Sequence, residues 1–180
     1  MILINSVQVV FSNMGFAVLL RSANDKRTLP IFIGAPEAQS IAFVLENQKL
    51  PRPLTHDLFK NVLDNLECRM KRAEITDLRE NTFYAMLVLE YKGLESTIDS
   101  RPSDAIALAL RFVAPIYIAP QVMETAGVLL EAENKIEEEA QKSQSDVELL
   151  KQQIAKAVEE ERYEDAARLK KELNKLTNSN

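Results

Sequence analysis

Residues Cys68 to Ile98 read CRMKRAEITDLRENTFYAMLVLEYKGLESTI. Cys68 to Leu78 and Thr82 to Tyr91 are strand-length runs separated by the turn residues Arg79-Glu80-Asn81, which predicts a long antiparallel hairpin. Lys92-Gly93 turns the chain again into a third run, Leu94 to Ile98. Three strands in succession with no helix between them do not make βαβ units, because parallel neighbours need a long crossover connection. In the middle run Ala85, Leu87 and Leu89 alternate with Tyr84, Met86 and Val88. Both faces are therefore apolar, and the strand is predicted to be central and covered on each side. Cys68, within a strand pattern, reads as a small packed hydrophobe and not as a nucleophile.

The flanking sequence agrees with this class. Ile2 to Phe11 mixes apolar and polar residues with β-branched enrichment, turns at Ser12-Asn13-Met14-Gly15 and returns as Phe16 to Leu20. After a second turn at Ser22 to Lys26, Leu29 to Ile33 is a third strand ending at Gly34, and its Pro30 favours an edge or strand-start position. From Pro36 to near Asn47 the period becomes helical, with Glu37 near the positive end and Ile41, Val44 and Leu45 on one face. Leu50-Pro51-Arg52-Pro53 interrupts the chain. Thr55 then stands where a cap would start a second helix with Leu58, Phe59, Val62, Leu63 and Leu66 as its apolar stripe. Beyond the hairpin, Ala105 to Phe112 is a third helix, dense in Ala and Leu and expected to be deeply buried, with Ser100 or Ser103 as its cap. Pro115 to Ile118 is a short strand, and Val122 to Leu130 is expected to be helical. The order predicts an α+β fold with a mixed or largely antiparallel sheet packed with helices.

The chain has 180 residues, 46% of them apolar and 27% charged, which suits one ordinary domain with a small appendage and argues against disorder throughout. No run approaches the length of a bilayer span, and the first residues lack the basic head of a signal peptide, so a cytoplasmic protein without membrane contact is expected. One cysteine and one histidine exclude an internal disulfide and paired Cys/His zinc ligation within the chain. The net charge of −5 is the wrong sign for a large basic nucleic-acid face, although local patches remain open. All four glycines and all seven prolines precede Glu131, and the remainder is rich in Glu, Lys, Ala, Gln and Leu, a helical composition.

Three helix starts carry charge: Gly34-Ala35-Pro36-Glu37, Arg52-Pro53-Leu54-Thr55-His56-Asp57 and Asp99-Ser100-Arg101-Pro102-Ser103-Asp104. Free backbone N–H groups at such ends favour anions, and a nearby arginine strengthens them for phosphate. If the two Arg-Pro elements converge, Arg52 and Arg101, with Ser103, would hold a phosphodiester. Glu37, Asp57, Asp99 and Asp104 would place one or two cations of the Mg2+ or Mn2+ type, which prefer oxygen. His56, whose side-chain type titrates near neutrality, would be the general base or the leaving-group acid, in a catalytic set with Asp57 and Asp104. The alternative is that these residues serve as helix caps, first-turn acids and ion pairs.

Taken together, Leu29-Pro30-Ile31-Phe32-Ile33-Gly34 with Glu37-Ala38, Arg52 to Leu58, Thr82-Phe83-Tyr84-Ala85 and Asp99 to Ala109 resemble the bifunctional nuclease family, over about Met1 to Leu130. The resemblance implies an α+β domain that assembles as a homo-oligomer, with DNase and RNase activity attributed to some members. Further on, Leu150 to Ile154 and Ala157 to Lys170, with the core Tyr163-Glu164-Asp165-Ala166-Ala167-Arg168-Leu169, resemble the UVR motif, a helical hairpin through which bacterial excision-repair subunits contact each other. This implies protein association, and the combination suggests a bacterial protein. The expected organisation is a nuclease-like domain at 1–130, a charged linker or helix at 131–145 and a UVR-like helical hairpin at 146–180. Two functions remain open: a nuclease acting on DNA or RNA, or a non-catalytic oligomeric module that presents its hairpins to partners. A small anionic ligand at the helix starts is a third possibility.

Overall fold

The computed structural model of the chain describes residues 1–129, together with 153–156, 165, 168–169 and 171. The linker expected at 131–145 lies outside the described residues, as does most of the UVR-like hairpin expected at 146–180.

The fold is α+β, with two sheets. The larger is mixed and runs β1 (Ile2–Leu3), β8 (Ile116–Ile118), β5 (Arg69–Arg79), β6 (Thr82–Tyr91), β7 (Leu94–Ser100). Only the β5–β8 pairing is parallel. The smaller sheet is antiparallel: β2 (Ser6–Ser12), β3 (Gly15–Arg21), β4 (Arg27–Ile33), β9 (Val128–Leu129). Between strands in sequence stand α1 (Ala35–Leu45), α2 (Thr55–Asn65), α3 (Pro102–Phe112) and α4 (Pro120–Ala126).

The long hairpin forms as the pattern requires. Glu80 (φ 48°) and Asn81 (φ 61°) both adopt the left-handed conformation, which gives the two-residue turn whose twist matches the strands it joins. Lys92 (φ 49°) and Gly93 (φ 78°) repeat it between β6 and β7. β6 lies inside the sheet, and the consecutive Leu87, Val88 and Leu89 are all buried, so its two faces are both covered.

Several expectations are corrected. The opening stretch is not one strand: Ile2 pairs with Ile118 in the larger sheet, whereas Ser6 pairs with Arg21 in the smaller. Asn5 marks the break, its amide donating to the Arg21 carbonyl and its side-chain oxygen accepting from the Ala23 N–H. The helix expected over Val122 to Leu130 is α4 and ends at Ala126. A Cβ on Gly127 would collide with the Met123 carbonyl, so glycine lets the chain leave the helix closely and pair Val128 with Thr28. Among the described residues β9 pairs only with Arg27 and Thr28, so Pro30, opposite Leu19 of β3, lies beyond the β9 ladder. Thr55 and Ser103 lie inside their helices. The N-caps are Leu54 and Arg101, neither of which has a side-chain capping bond of its own, and at α2 the Asp57 carboxylate accepts from the Leu54 N–H.

α3 is the centre of the packing. Ala105, Ile106, Ala107, Leu108 and Ala109 are all buried, and the small side chains let the helix lie close on β5 and β6 while α1 and α2 pack against it. Cys68, just before β5, packs partly buried against this core. α2 departs from its expected burial. Of its apolar stripe only Leu63 is buried, whereas Leu58, Phe59, Val62 and Leu66 are exposed. Leu63 and the polar residues of its first turn hold the helix in place.

Candidate active site

Three helices begin with the same local chemistry. Glu37 in α1, Asp57 in α2 and Asp104 in α3 are each the third residue of the helix, where a carboxylate complements the positive end of the backbone dipole. α1 and α2 both pack on α3, so these starts are carried to one region of the surface.

His56, Ser40, Asp104, Arg101 and Glu37 form one hydrogen-bonded cluster there. The His56 ring lies 2.8 Å from Ser40 Oγ through Nδ1 and 3.1 Å from Asp104 Oδ1 through Nε2. Arg101 donates from Nε to Asp104 Oδ2 (2.8 Å), from Nη2 to Asp104 Oδ1 (3.2 Å) and from Nη1 to Glu37 Oε1 (2.8 Å). Gly34 makes room for this arrangement, since a Cβ there would meet Glu37 Oε2.

The chemistry of the partners fixes the histidine tautomer. An ionised carboxylate only accepts, so the proton of the neutral ring belongs on Nε2, facing Asp104; Nδ1 then accepts from the Ser40 hydroxyl. Asp104 is ionised: burial pushes its carboxyl up, but the bonds from Arg101 and His56 outweigh that and hold it below the usual value. Arg101 is pushed further toward its charged form by the Asp104 bond first and the Glu37 bond second. Its side chain is 65% exposed against 17% for His56 and 29% for Asp104, which makes Arg101 the group an incoming anion meets first.

Asp57 faces elsewhere. Its Oδ1 accepts from Arg111 Nε at 2.6 Å and its Oδ2 from the Leu54 N–H at 2.9 Å. Burial raises the Asp57 carboxyl, and these two bonds bring it below its ordinary value. The Arg111 side chain is only 5% exposed and also donates from Nη1 to the carbonyls of Ser40 (3.2 Å) and Ala107 (3.0 Å). Asp57 and Arg111 form part of the wall of a cleft of about 370 Å³ that Lys49, Arg52 and Leu54 also line.

The structure thus gathers Glu37, His56, Arg101 and Asp104 of the residues singled out in the sequence. Arg52 does not meet Arg101; it lines the cleft with Arg111. Ser103 is buried in the first turn of α3, and Asp99 is exposed on β7 opposite Met86; neither makes a hydrogen bond with the cluster. Ser40 and Arg111 escaped the sequence reading, although the signal was present. Ser40 follows Glu37 by three residues and Arg111 follows Asp104 by seven, which places each on the helix face of a residue already noted. The four carboxylates expected to hold Mg2+ or Mn2+ are not brought together. Glu37 and Asp104 are both turned onto Arg101, and among the described residues no three His, Cys, Asp or Glu side chains cluster as a cation site would require. As they stand, these donors do not fit a divalent ion.

Fold and site define a two-sheet α+β domain with an Arg-carboxylate-His cluster at converging helix starts. The family model described as bifunctional nuclease domain matches residues 18–131. The chain is 40% identical over 135 residues to an uncharacterized protein of Mycobacterium tuberculosis, covering 75% of this chain and 80% of that one. It is 24% identical over 165 residues to bifunctional nuclease 1 of Oryza sativa subsp. indica (81% of this chain, 50% of the relative) and 23% identical over 169 residues to bifunctional nuclease 2 of Arabidopsis thaliana (82% and 51%). The chain therefore spans about half the length of these plant relatives. It belongs to the bifunctional nuclease domain family.

Proposed function

We propose that this chain hydrolyses phosphodiester bonds of DNA or RNA at the His56 cluster. The observation that carries the reading is the convergence of Arg101, His56, Asp104 and Glu37, drawn from three separate helix starts, in one hydrogen-bonded group with its cation exposed. Arg101 takes the phosphate, its planar donors matching two oxygens once Glu37 is released. His56 protonates the leaving oxygen from Nε2 in its doubly protonated form. Its 3.1 Å contact with Asp104 is long for a charge-assisted bond and is the one a substrate oxygen replaces. Ser40 holds the ring in place, and the freed Glu37 carboxylate accepts the proton of the attacking water. No step passes through a metal.

Family membership supports the nuclease reading. The competing reading, a non-catalytic oligomeric module, is favoured by a different observation: every charged member of the cluster is already paired within it. A homo-oligomer, a cytoplasmic location and a partner engaged through the UVR-like segment belong to either reading. Cleavage of single-stranded and duplex DNA and RNA by highly purified protein, with Mg2+, Mn2+ or chelator, separates them when run beside a His56→Ala, Asp104→Ala variant. The nuclease reading expects cleavage that the variant loses with its fold intact by circular dichroism. Equal cleavage by both proteins would mean contamination and favour the module.

A further inference from the structure

The cleft beside the cluster has the composition of a ligand site in its own right. Lys49, Arg52 and Arg111 give it three cations against the single carboxylate of Asp57, in a protein whose net charge is −5. Asp57 is already bonded to Arg111, whereas Lys49 and Arg52 are exposed and make no ion pair among the described residues. The cleft thus offers two uncommitted positive charges. Phe43, Leu50 and Leu54 supply apolar wall, and Leu50 and Leu54 are 40% and 38% exposed. Its volume of about 370 Å³ is at the lower end for small-ligand pockets, room for one nucleotide unit.

Cations beside apolar and aromatic surface are what unpaired nucleotides require. Phosphate is held by charge, and the base loses its contact with water against the wall. A duplex keeps its bases stacked inside and presents only phosphates, so it would leave this wall unused. The cleft is also joined to the His56 cluster. Asp57 in its wall adjoins His56 in the first turn of α2, and Arg111 donates to the carbonyl of Ser40, whose hydroxyl bonds the His56 ring. We propose that the cleft binds a flanking nucleotide of single-stranded nucleic acid, with its phosphate on Lys49 and Arg52 and its base against Leu50, Leu54 and Phe43. This makes it a subsite of the same polymer whose cleavage is proposed at the cluster, and it rests on that reading for the choice of ligand. Arg111 shapes the floor and ties the subsite to the ring that moves the proton.

The test is binding, so that it stands apart from catalysis. The anisotropy of a 5′-labelled single-stranded DNA hexamer would be titrated with the full chain in chelator, at several salt concentrations. Lys49→Gln, Arg52→Gln together should weaken binding by about tenfold or more. They should also flatten the dependence of log affinity on log salt by about 0.7, the share of one phosphate contact on a single strand. Arg79→Gln, Lys92→Gln, which removes equal charge at the two hairpin turns, should change affinity by less than about twofold. A replacement of the hexamer's bases by abasic sites should weaken binding to the wild type. The proposal is overturned if the wild type does not bind, if both double variants lose affinity alike, or if abasic DNA binds the wild type as well as the hexamer does. Failure of cleavage with these binding results intact would sink the nuclease reading and leave the subsite standing.

Discussion

His56 has both ring nitrogens engaged, and that sets what the cluster does. The pairing predicts the Nε2–H tautomer for the neutral ring, which two-bond 1H–15N correlation spectra read directly; a dominant Nδ1–H form would contradict the assignment. Ser40→Ala removes the partner of Nδ1 and should lower cleavage by about tenfold or more without unfolding the protein, because the ring loses its orientation and not its chemistry. Asp57 holds the Arg111 guanidinium, and that pair bears on stability. Asp57→Asn leaves the nearly buried Arg111 guanidinium without its counter-ion and should cost about 2 kcal/mol, less than a fully buried pair because Asp57 is itself half-exposed. The folded carboxyl of Asp57 lies below its unfolded value, so its contribution is complete above about pH 4 and is lost as pH falls through the depressed value. Acid denaturation of Asp57→Asn should therefore fall less steeply below about pH 4 than that of the wild type. An identical acid limb would show that the pair does not matter to stability.

α2 is held by very little. Leu63 is its only buried residue, and Asp57 and His56 tie its first turn to α3 and α1. Leu63→Ala should cost about 2–3 kcal/mol and reduce activity together with stability, read as a lower midpoint in urea and faster amide exchange in α2; a change in midpoint alone would separate the helix from the site. Most elements of this fold were legible because each carries a local cause: alternation in β6, turn residues at 79–81 and 92–93, an Ala-rich run in α3. What was not legible has a tertiary cause. Asn5 divides one apolar run between two sheets, and Gly127 ends a helix because a carbonyl lies too near for any side chain. The stripe on α2 was read correctly as amphipathic, but nothing within the helix says whether a stripe meets this chain's core. Here Leu58, Phe59, Val62 and Leu66 do not.

Across the molecule, the site was legible as a set of charged helix starts and illegible as a partition among them. First-turn acids and arginines can be counted in a sequence. That Arg101 would hold Glu37 and Asp104 while Arg111 took Asp57 depends on how α1, α2 and α3 cross, which no local pattern encodes. The chain's charge adds a global constraint. With 27 acidic residues against 22 basic, the proposed association with nucleic acid would rely on a few local cations and should fall by only about tenfold as salt rises from about 50 to 200 mM. The proposed mechanism turns on His56 delivering a proton to the leaving oxygen. The direct measurement is single-turnover cleavage of a substrate whose bridging oxygen at the scissile phosphate is replaced by sulfur, in 3′-bridging and 5′-bridging versions, by wild type and His56→Ala. A thiolate departs without an acid, so the variant should lose about a hundredfold or more on the oxygen substrate and less than about tenfold on one of the sulfur substrates. An equal loss on all three would contradict the role assigned to His56.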